Sequence, residues 1–293
     1  MSSQTLSPAE TSLFSDSVRI HMRYDRNDPP PQPENGSWTR FVCLSDTHSH
    51  RFQVPPGDVL LHSGDITAKG KVKDFELSME WLRNMPHRTK IIIAGNHDLT
   101  LDEEWYKQQG GADQDVAKVR EFVSGAVAKE AGIVYLRDEA YEFQAKEGGR
   151  RWTVYGSPWT PYFRGKAFNY MPEDAKQIYG SIPNVDILMT HGPPHQVHDL
   201  TMDGAHAGCP TNLERVCKIK PRLHLFGHIH EGRGATIHTW DRARPKARQE
   251  AVAERLTAFV NAANSSRRKG FGKRPAAGSV GLEPVIVDLR DDA

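Results

Sequence analysis

Five short blocks of this chain carry residues able to do chemistry: Asp46-Thr47-His48, Gly64-Asp65, Gly95-Asn96-His97-Asp98, Thr190-His191-Gly192 and Gly227-His228-Ile229-His230. Together they offer carboxylates, one amide and several imidazoles, with no thiolate. Oxygen and imidazole donors suit Mn, Fe or Zn in a catalytic site better than a cysteine-rich structural zinc site. The neutral Asn96 adds a ligand without adding negative charge. The set exceeds what one divalent cation needs and is about right for two, which points to hydrolysis of a phosphate ester. In an extended segment residues i and i+2 project to one side, so Asp46 with His48 reach one ion, and His228 with His230 form a second such pair.

Each block follows an apolar, β-prone run, so the elements that position it can be read. Strands are expected at 40–44, 58–62, 90–94, 185–189 and 223–226, each ending at a block. Between them, residues 72–84 carry Val72, Phe75, Leu77, Met79 and Leu82 at helical spacing. Residues 113–131 place Val116, Val119, Phe122, Val123 and Val127 on one side of a second helix. Short strands follow at 133–135, 141–143 and 152–155, then short helices at 172–179 and 212–217. Late strands at 235–237, 256–260 and 284–289 close the chain. Strand and helix alternate in the first half and strands dominate the second, which implies a mixed α/β layered fold. Ligands at the carboxyl ends of strands fit the rule that such sheets bind there.

The whole chain narrows the class. Its 293 residues, 38% apolar and 26% charged, suit one embellished domain with a core of its own. The net charge of +1 implies no acidic partner, and no nucleic acid is expected to bind. Cys43, Cys209 and Cys217 form an odd set without disulfide spacing, which favours a reducing compartment. Residues 1–26 hold no apolar stretch of signal-peptide length, and the longest aliphatic run, Ile91-Ile92-Ile93-Ala94, is far too short for a membrane span. A soluble cytoplasmic protein is expected, with the nucleus as the alternative. Residues 1–38 read as a flexible, proline-rich segment. Residues 1–18 are expected to be loosely ordered, and Pro29, Pro30, Pro31 and Pro33 make the rest an extended wrap. Residues 39–293 form the single domain, with an insertion at 242–254 and a flexible loop at 264–278.

The order D-x-H, G-D, G-N-H-D, H-G, G-H-x-H resembles the calcineurin-like metallophosphoesterase superfamily over residues 41–230. The strings Leu44-Ser45-Asp46-Thr47-His48-Ser49, Gly156-Ser157-Pro158-Trp159 and Phe226-Gly227-His228-Ile229-His230-Glu231-Gly232 are similar to its brain-expressed branch and fungal and bacterial relatives. The resemblance implies two mixed β-sheets packed as a sandwich with helices outside. It implies that Asp46, His48 and His230 hold one metal, that Asn96, His191 and His228 hold another, and that Asp65 bridges them. Two divalent ions (Mn, Fe or Zn) would sit about 3.5–4 Å apart and share the hydroxide that attacks phosphorus. His97 would be the general acid or a donor to the phosphoryl group, oriented by Asp98. The expected activity is phosphodiester hydrolysis of a small phosphoester, with cyclic nucleotides as candidates. A phosphomonoesterase or protein phosphatase on the same site, and a non-catalytic scaffold, are the rival readings.

Other residues have plainer expectations. His50, His195 and His198 read as loop residues, and His62, His206 and His224 as structural ones. The aromatic-basic run Trp159, Tyr162, Phe163 and Arg164 reads as a packed loop, with base stacking as the alternative. The basic tract around Arg267 and Lys273 reads as a solvated loop.

Overall fold

Residues Trp38–Leu44 are buried at every position. A strand buried on both faces must be covered on both, so this strand lies inside a layered structure. The computed structural model describes residues 2–5, 11–34, 37–240, 255–265 and 282–292. The expected insertion at 242–254, most of the expected loop at 264–278 and its basic tract lie outside these residues.

In chain order the strands are β1 (Ser2–Thr5), β2 (Ser12–Phe14), β3 (Val18–His21), β4 (Trp38–Leu44), β5 (Val59–Ser63), β6 (Thr89–Ile93), β7 (Ile133–Leu136) and β8 (Glu139–Gln144). They continue with β9 (Arg151–Ser157), β10 (Thr160–Pro161), β11 (Asn169–Tyr170), β12 (Ile187–Thr190), β13 (Leu223–Phe226), β14 (Gly234–Thr239), β15 (Leu256–Asn261) and β16 (Val285–Arg290). The helices are α1 (Val72–Arg83), α2 (Glu103–Gln108), α3 (Asp113–Ser124), α4 (Ala126–Glu130), α5 (Ala175–Gly180) and α6 (Pro210–Ile219).

Two seven-stranded sheets result, ordered β2-β3-β16-β4-β5-β6-β7 and β1-β14-β15-β13-β12-β9-β8. Both are mixed. In the first, β4, β5, β6 and β7 run parallel. In the second, β9, β12, β13 and β15 run parallel. Alternation along each strand then builds the layers. Phe41, Cys43, Leu61 and Ile91 of one sheet meet Trp152, Ile187, Met189 and Leu225 of the other in a common core. Val42, Leu44, Leu60 and Ile92 point outward onto Phe75, Met79 and Leu82 of α1 and Val119 and Val123 of α3. Leu188 and Phe226 pack on Val216 and Ile219 of α6. The expected α/β sandwich with flanking helices is what the chain forms.

Two local expectations are corrected. Residues 1–18, expected to be loose, supply strands β1 and β2, and β3 follows at once. Their Ser/Thr-rich composition hides the apolar residues that enter the core between the sheets, Leu13 of β2 and, at period two, Val18, Ile20 and Met22. The single helix expected over 113–131 is broken at Gly125, whose extended ψ of −178° separates α3 from α4. The break turns Val127 out to solvent, 55% exposed, away from the buried Val116, Val119 and Val123.

The proline segment is held as an extended wrap by one buried cation. Arg40 makes a two-pronged ion pair with Asp288, Nε to Oδ1 at 2.7 Å and Nη2 to Oδ2 at 2.8 Å. It also donates to the carbonyls of Pro30 at 2.6 Å and Pro31 at 2.9 Å. Asp288 is fully buried, so its removal leaves an uncompensated charge. Asp288→Ala is expected to cost about 3–5 kcal/mol in urea unfolding, and to expose residues 29–33 to limited proteolysis.

Candidate metal centre

Five loops meet at one edge of the sandwich, each leaving the carboxyl end of a parallel strand. Those after β4, β5 and β6 carry Asp46, His48, Asp65, Asn96 and His97. Those after β12 and β13 carry His191, His228 and His230. Three overlapping sets have donor atoms within 4.8 Å of one another: Asp46 with His48 and His230, His48 with Asp65 and His97, and Asp46 with Asp65 and His191.

The side chains sort into two groups around Asp65. In the first, His230 Nε2 lies 3.1 Å from Asp46 Oδ1 and 3.3 Å from His48 Nε2. In the second, Asn96 Oδ1 lies 3.0 Å from His191 Nε2 and 2.9 Å from His228 Nδ1. Asp65 faces both: Oδ1 is 3.3 Å from His191 Nε2 and Oδ2 is 3.7 Å from His48 Nε2. The i, i+2 expectation therefore fails at one place. His228 and His230 serve different groups, because His228 adopts a left-handed φ of 66° that is incompatible with a flat strand.

Left-handed backbone recurs at Asp46, His48 and Asp65, with φ of 55°, 47° and 54°. For residues with a β-carbon this costs of order 1–3 kcal/mol each. Such strain persists only where the surroundings impose it, and it clusters at functional sites. The glycines of the blocks have a related cause. A β-carbon at Gly64 would lie 2.7 Å from His191 Nδ1, and the φ of Gly64 is 92°. A β-carbon at Gly227 would collide with Ser45 Oγ and Asp46 Oδ2. The ligand side chains occupy the space that any larger residue would need.

The electrostatics suit cation binding. Burial lowers His48 to about 4 and His228 to about 3, so both imidazoles are neutral and able to ligate. Burial works to raise Asp65, but His191 and His48 hold its carboxyl well below the usual carboxylate range. Burial likewise opposes charge on His191, and Asp65 overcomes it and raises the imidazole to about 9. His191 Nδ1 donates to the Ser63 carbonyl at 2.9 Å, which turns Nε2 toward Asn96 and Asp65. Oxygen and imidazole donors, buried, oriented and free of sulfur, fit two divalent cations.

Two buried histidines brace the ligand loops from behind. His62 Nε2 donates to Thr47 Oγ at 2.9 Å, between Asp46 and His48. His224 Nε2 donates to Thr190 Oγ at 2.9 Å, one residue before His191. In each case the threonine hydroxyl gives its own proton to a carbonyl, of Ile66 or Gly192. Burial lowers both imidazoles to about 3, so they stay neutral. Both lie inside strands and read from sequence only as structural. The pairing with the threonines is a tertiary fact without a sequence signal.

The role expected for Asp98 is corrected. It does not touch the His97 ring, which donates through Nδ1 to the Ala68 carbonyl at 2.9 Å. Asp98 is fully buried and accepts from the backbone of Ile66, Thr67 and Gly95 and from Thr67 Oγ. It clamps the Asp65 loop to the Asn96 loop. Burial, then the Asp65 charge, raises it to about 6 against the pull of those donors. The other histidines stay outside both groups: His50 is exposed, His198 bonds Thr236 Oγ at 2.9 Å and His206 bonds Asp199 Oδ1 at 2.7 Å. The aromatic-basic loop is packed only at its base. Trp159 donates to Asp138 Oδ2 at 2.7 Å, whereas Tyr162 and Phe163 are exposed, and the Phe163 ring lies 6.3 Å from that of His228.

A fold of two mixed sheets with histidines, aspartates and an asparagine at their shared edge defines a class of phosphoesterase-like proteins, and the comparisons agree. The model of the calcineurin-like phosphoesterase family matches residues 36–232. Metallophosphoesterase domain-containing protein 1 of Homo sapiens is 40% identical over 220 residues, covering 71% of this chain and 66% of the relative. A UPF0046 protein of Caenorhabditis elegans is 34% identical over 213 residues, covering 68% of this chain and 71% of that one. The chain belongs to the calcineurin-like phosphoesterase family. Among the described residues no helix is long and apolar enough to cross a membrane.

The Asp98 geometry makes an expectation. Asp98→Ala strands three buried backbone N–H groups and should cost about 3 kcal/mol or more. His97→Ala should leave the unfolding midpoint nearly unchanged. Chemical unfolding of the two variants checks both.

Proposed function

We propose that this protein is a binuclear metal-dependent phosphoester hydrolase with a preference for phosphodiesters. The observation that carries the reading is Asp65, whose two carboxylate oxygens face separate donor groups. Asp46, His48 and His230 would hold one cation, Asn96, His191 and His228 the other, with Asp65 shared between them. When bound, the two cations supply Lewis acidity toward phosphoryl oxygens and lower the pKa of the water that serves as nucleophile.

The chain's own residues supply the rest. His97 is anchored on both sides: its backbone N–H donates to Asp65 Oδ1 at 2.7 Å and its Nδ1–H to Ala68. The free position is therefore Nε2. Protonated there, His97 can hand its proton to the leaving oxygen, a contribution of about 10²–10⁴ in rate. Its ring centroid lies 4.9 Å from that of His48, at the edge of the first group. A diester carries a second ester group that needs a surface beyond the phosphoryl. The exposed Phe163 beside His228 offers one, with Arg164 5.0 Å from the ring centre. A small phosphoester, nucleotides included, is the substrate class, manganese the first metal to try, and the cytoplasm the proposed compartment.

The test is hydrolysis of bis-p-nitrophenyl phosphate beside p-nitrophenyl phosphate, with Mn²⁺ and with chelator. Metal-dependent turnover of the diester is expected. Asp65→Ala should abolish both metal uptake and turnover. His97→Ala should retain the metals, counted by elemental analysis, and lose about 10²–10⁴ of the rate. Turnover of the monoester alone would replace the diesterase reading with a phosphatase.

A further inference from the structure

The opposite edge of the second sheet holds a different concentration of charge. A cavity of about 230 Å³ opens there, lined by Arg150, Asp186, Lys220, Arg222 and Arg255. Four of these residues stand directly before parallel strands: Arg150 before β9, Asp186 before β12, Arg222 before β13 and Arg255 before β15. Lys220 caps the carboxyl end of α6. The cavity is thus at the amino ends of the strands whose carboxyl ends build the candidate metal centre.

The carboxylates nearby are already engaged. Asp186 accepts from Arg150 Nη2 at 2.7 Å through Oδ1, and from the Thr153 N–H and hydroxyl, both at 2.9 Å, through Oδ2. Asp291 takes the hydroxyls of Ser37 and of Thr39. Asp292 pairs with Arg290 at 2.7 Å. Among the described residues Lys220, Arg222 and Arg255 make no ion pair with a carboxylate, although the charges of Asp186, Asp291 and Asp292 act on Arg222 from farther off and the Lys220 ammonium lies 5.4 Å from the centre of the Trp240 ring. Arg222 Nη2 donates only to the carbonyl of Arg290, and Arg255 Nη2 to that of Ile219 at 2.8 Å. Arg222 Nη1 is buried with no hydrogen-bond partner among the described residues. Arg150 and Arg222 also lie over the same ring, 4.7 Å and 5.1 Å from the centre of Trp152. Burial, then the charge of Arg150, lowers Arg222 to about 10.

Lys220 adds an independent observation. It has a φ of 48°, the left-handed helix-ending conformation in which glycine is unstrained and lysine is not. Glycine would close the helix there without the backbone strain, whereas the charge of Lys220 is favourable at a helix carboxyl end.

We propose that this cavity is a phosphate-binding pocket, distinct from the candidate metal centre, that takes the dianionic phosphate of a small monoester or inorganic phosphate itself. Guanidinium forks match phosphate oxygens in pairs, and Lys220 adds a point charge. The volume holds a phosphate with room for a small attached group. The pocket does not depend on the hydrolase reading.

The test uses the full chain carrying Asp65→Ala, desalted and without added metal, so that phosphate is not drawn to the other edge. Inorganic phosphate and glycerol phosphate are titrated calorimetrically at low salt, with chloride of equal ionic strength as the control. One saturable site for phosphate is expected, with a raised Tm on addition. Lys220→Gly relieves backbone strain while removing a charge. It should keep or raise the Tm without phosphate and weaken phosphate binding about tenfold, in line with the loss of one charge-assisted contact. Arg222→Gln should weaken it further. Glycerol phosphate binding as tightly as phosphate would identify a monoester pocket, and exclusion of glycerol phosphate would identify a site for the free ion. The proposal is overturned if phosphate does no more than chloride, or if Lys220→Gly binds phosphate as the parent does.

Discussion

The packing of one sheet against the other sets the distances between the two halves of the candidate metal centre. Asp46, His48, Asp65, Asn96 and His97 hang from the first sheet, and His191, His228 and His230 from the second. Each group draws donors from both sheets. Facing sheets lie about 10 Å apart, and the loops at their shared edge span that gap from both sides. Asp65 stands where they meet, with His48 on one oxygen and His191, from the other sheet, on the second. The apolar layer of Phe41, Cys43 and Leu61 against Trp152, Met189 and Leu225 is therefore part of the site's geometry.

Holding those loops requires local sacrifices that the rest of the fold offsets. Four donor residues adopt left-handed backbone, and the glycines before two of them, Gly64 and Gly227, leave no spare volume. Buried polar side chains then lock what the strain would otherwise release. Asp98 gathers three backbone N–H groups from two loops. His62 and His224 prop the threonines beside Asp46 and His191. Each is the kind of outer support that orients a ligand without touching the ion. The rigidity of the site is thus distributed over residues that carry no metal-binding signature.

The second sheet also separates charge along its strands. Its carboxyl edge presents the imidazoles of His191, His228 and His230, a place for cations. Its amino edge presents three cations around a cavity, none in an ion pair with a carboxylate among the described residues. A net charge of +1 conceals this polarity, because it sums 38 basic and 37 acidic residues wherever they stand. Composition reports only the sum, and the fold decides where the charges stand.

Much of this was legible in the chain itself. Apolar runs followed by Gly-Asp, Gly-Asn-His-Asp and Gly-His-x-His located the ligand loops, because strand period and block position are local properties. The α/β layering followed from the same alternation. Other features depended on contacts between residues far apart in sequence. The N-terminal strands were masked by Ser and Thr, since pairing with β16 and β14 is what makes them strands. Gly125 broke a helix whose apolar spacing ran straight through it. Asp98 adjoins His97 in sequence, yet its carboxylate turns to backbone amides, because a buried carboxylate goes where the unpaired donors are. His228 and His230 were separated by one left-handed residue. Sequence determined which residue types stand at the strand ends; the packing of two sheets decided which of them meet, because burial and backbone strain are set by the whole fold.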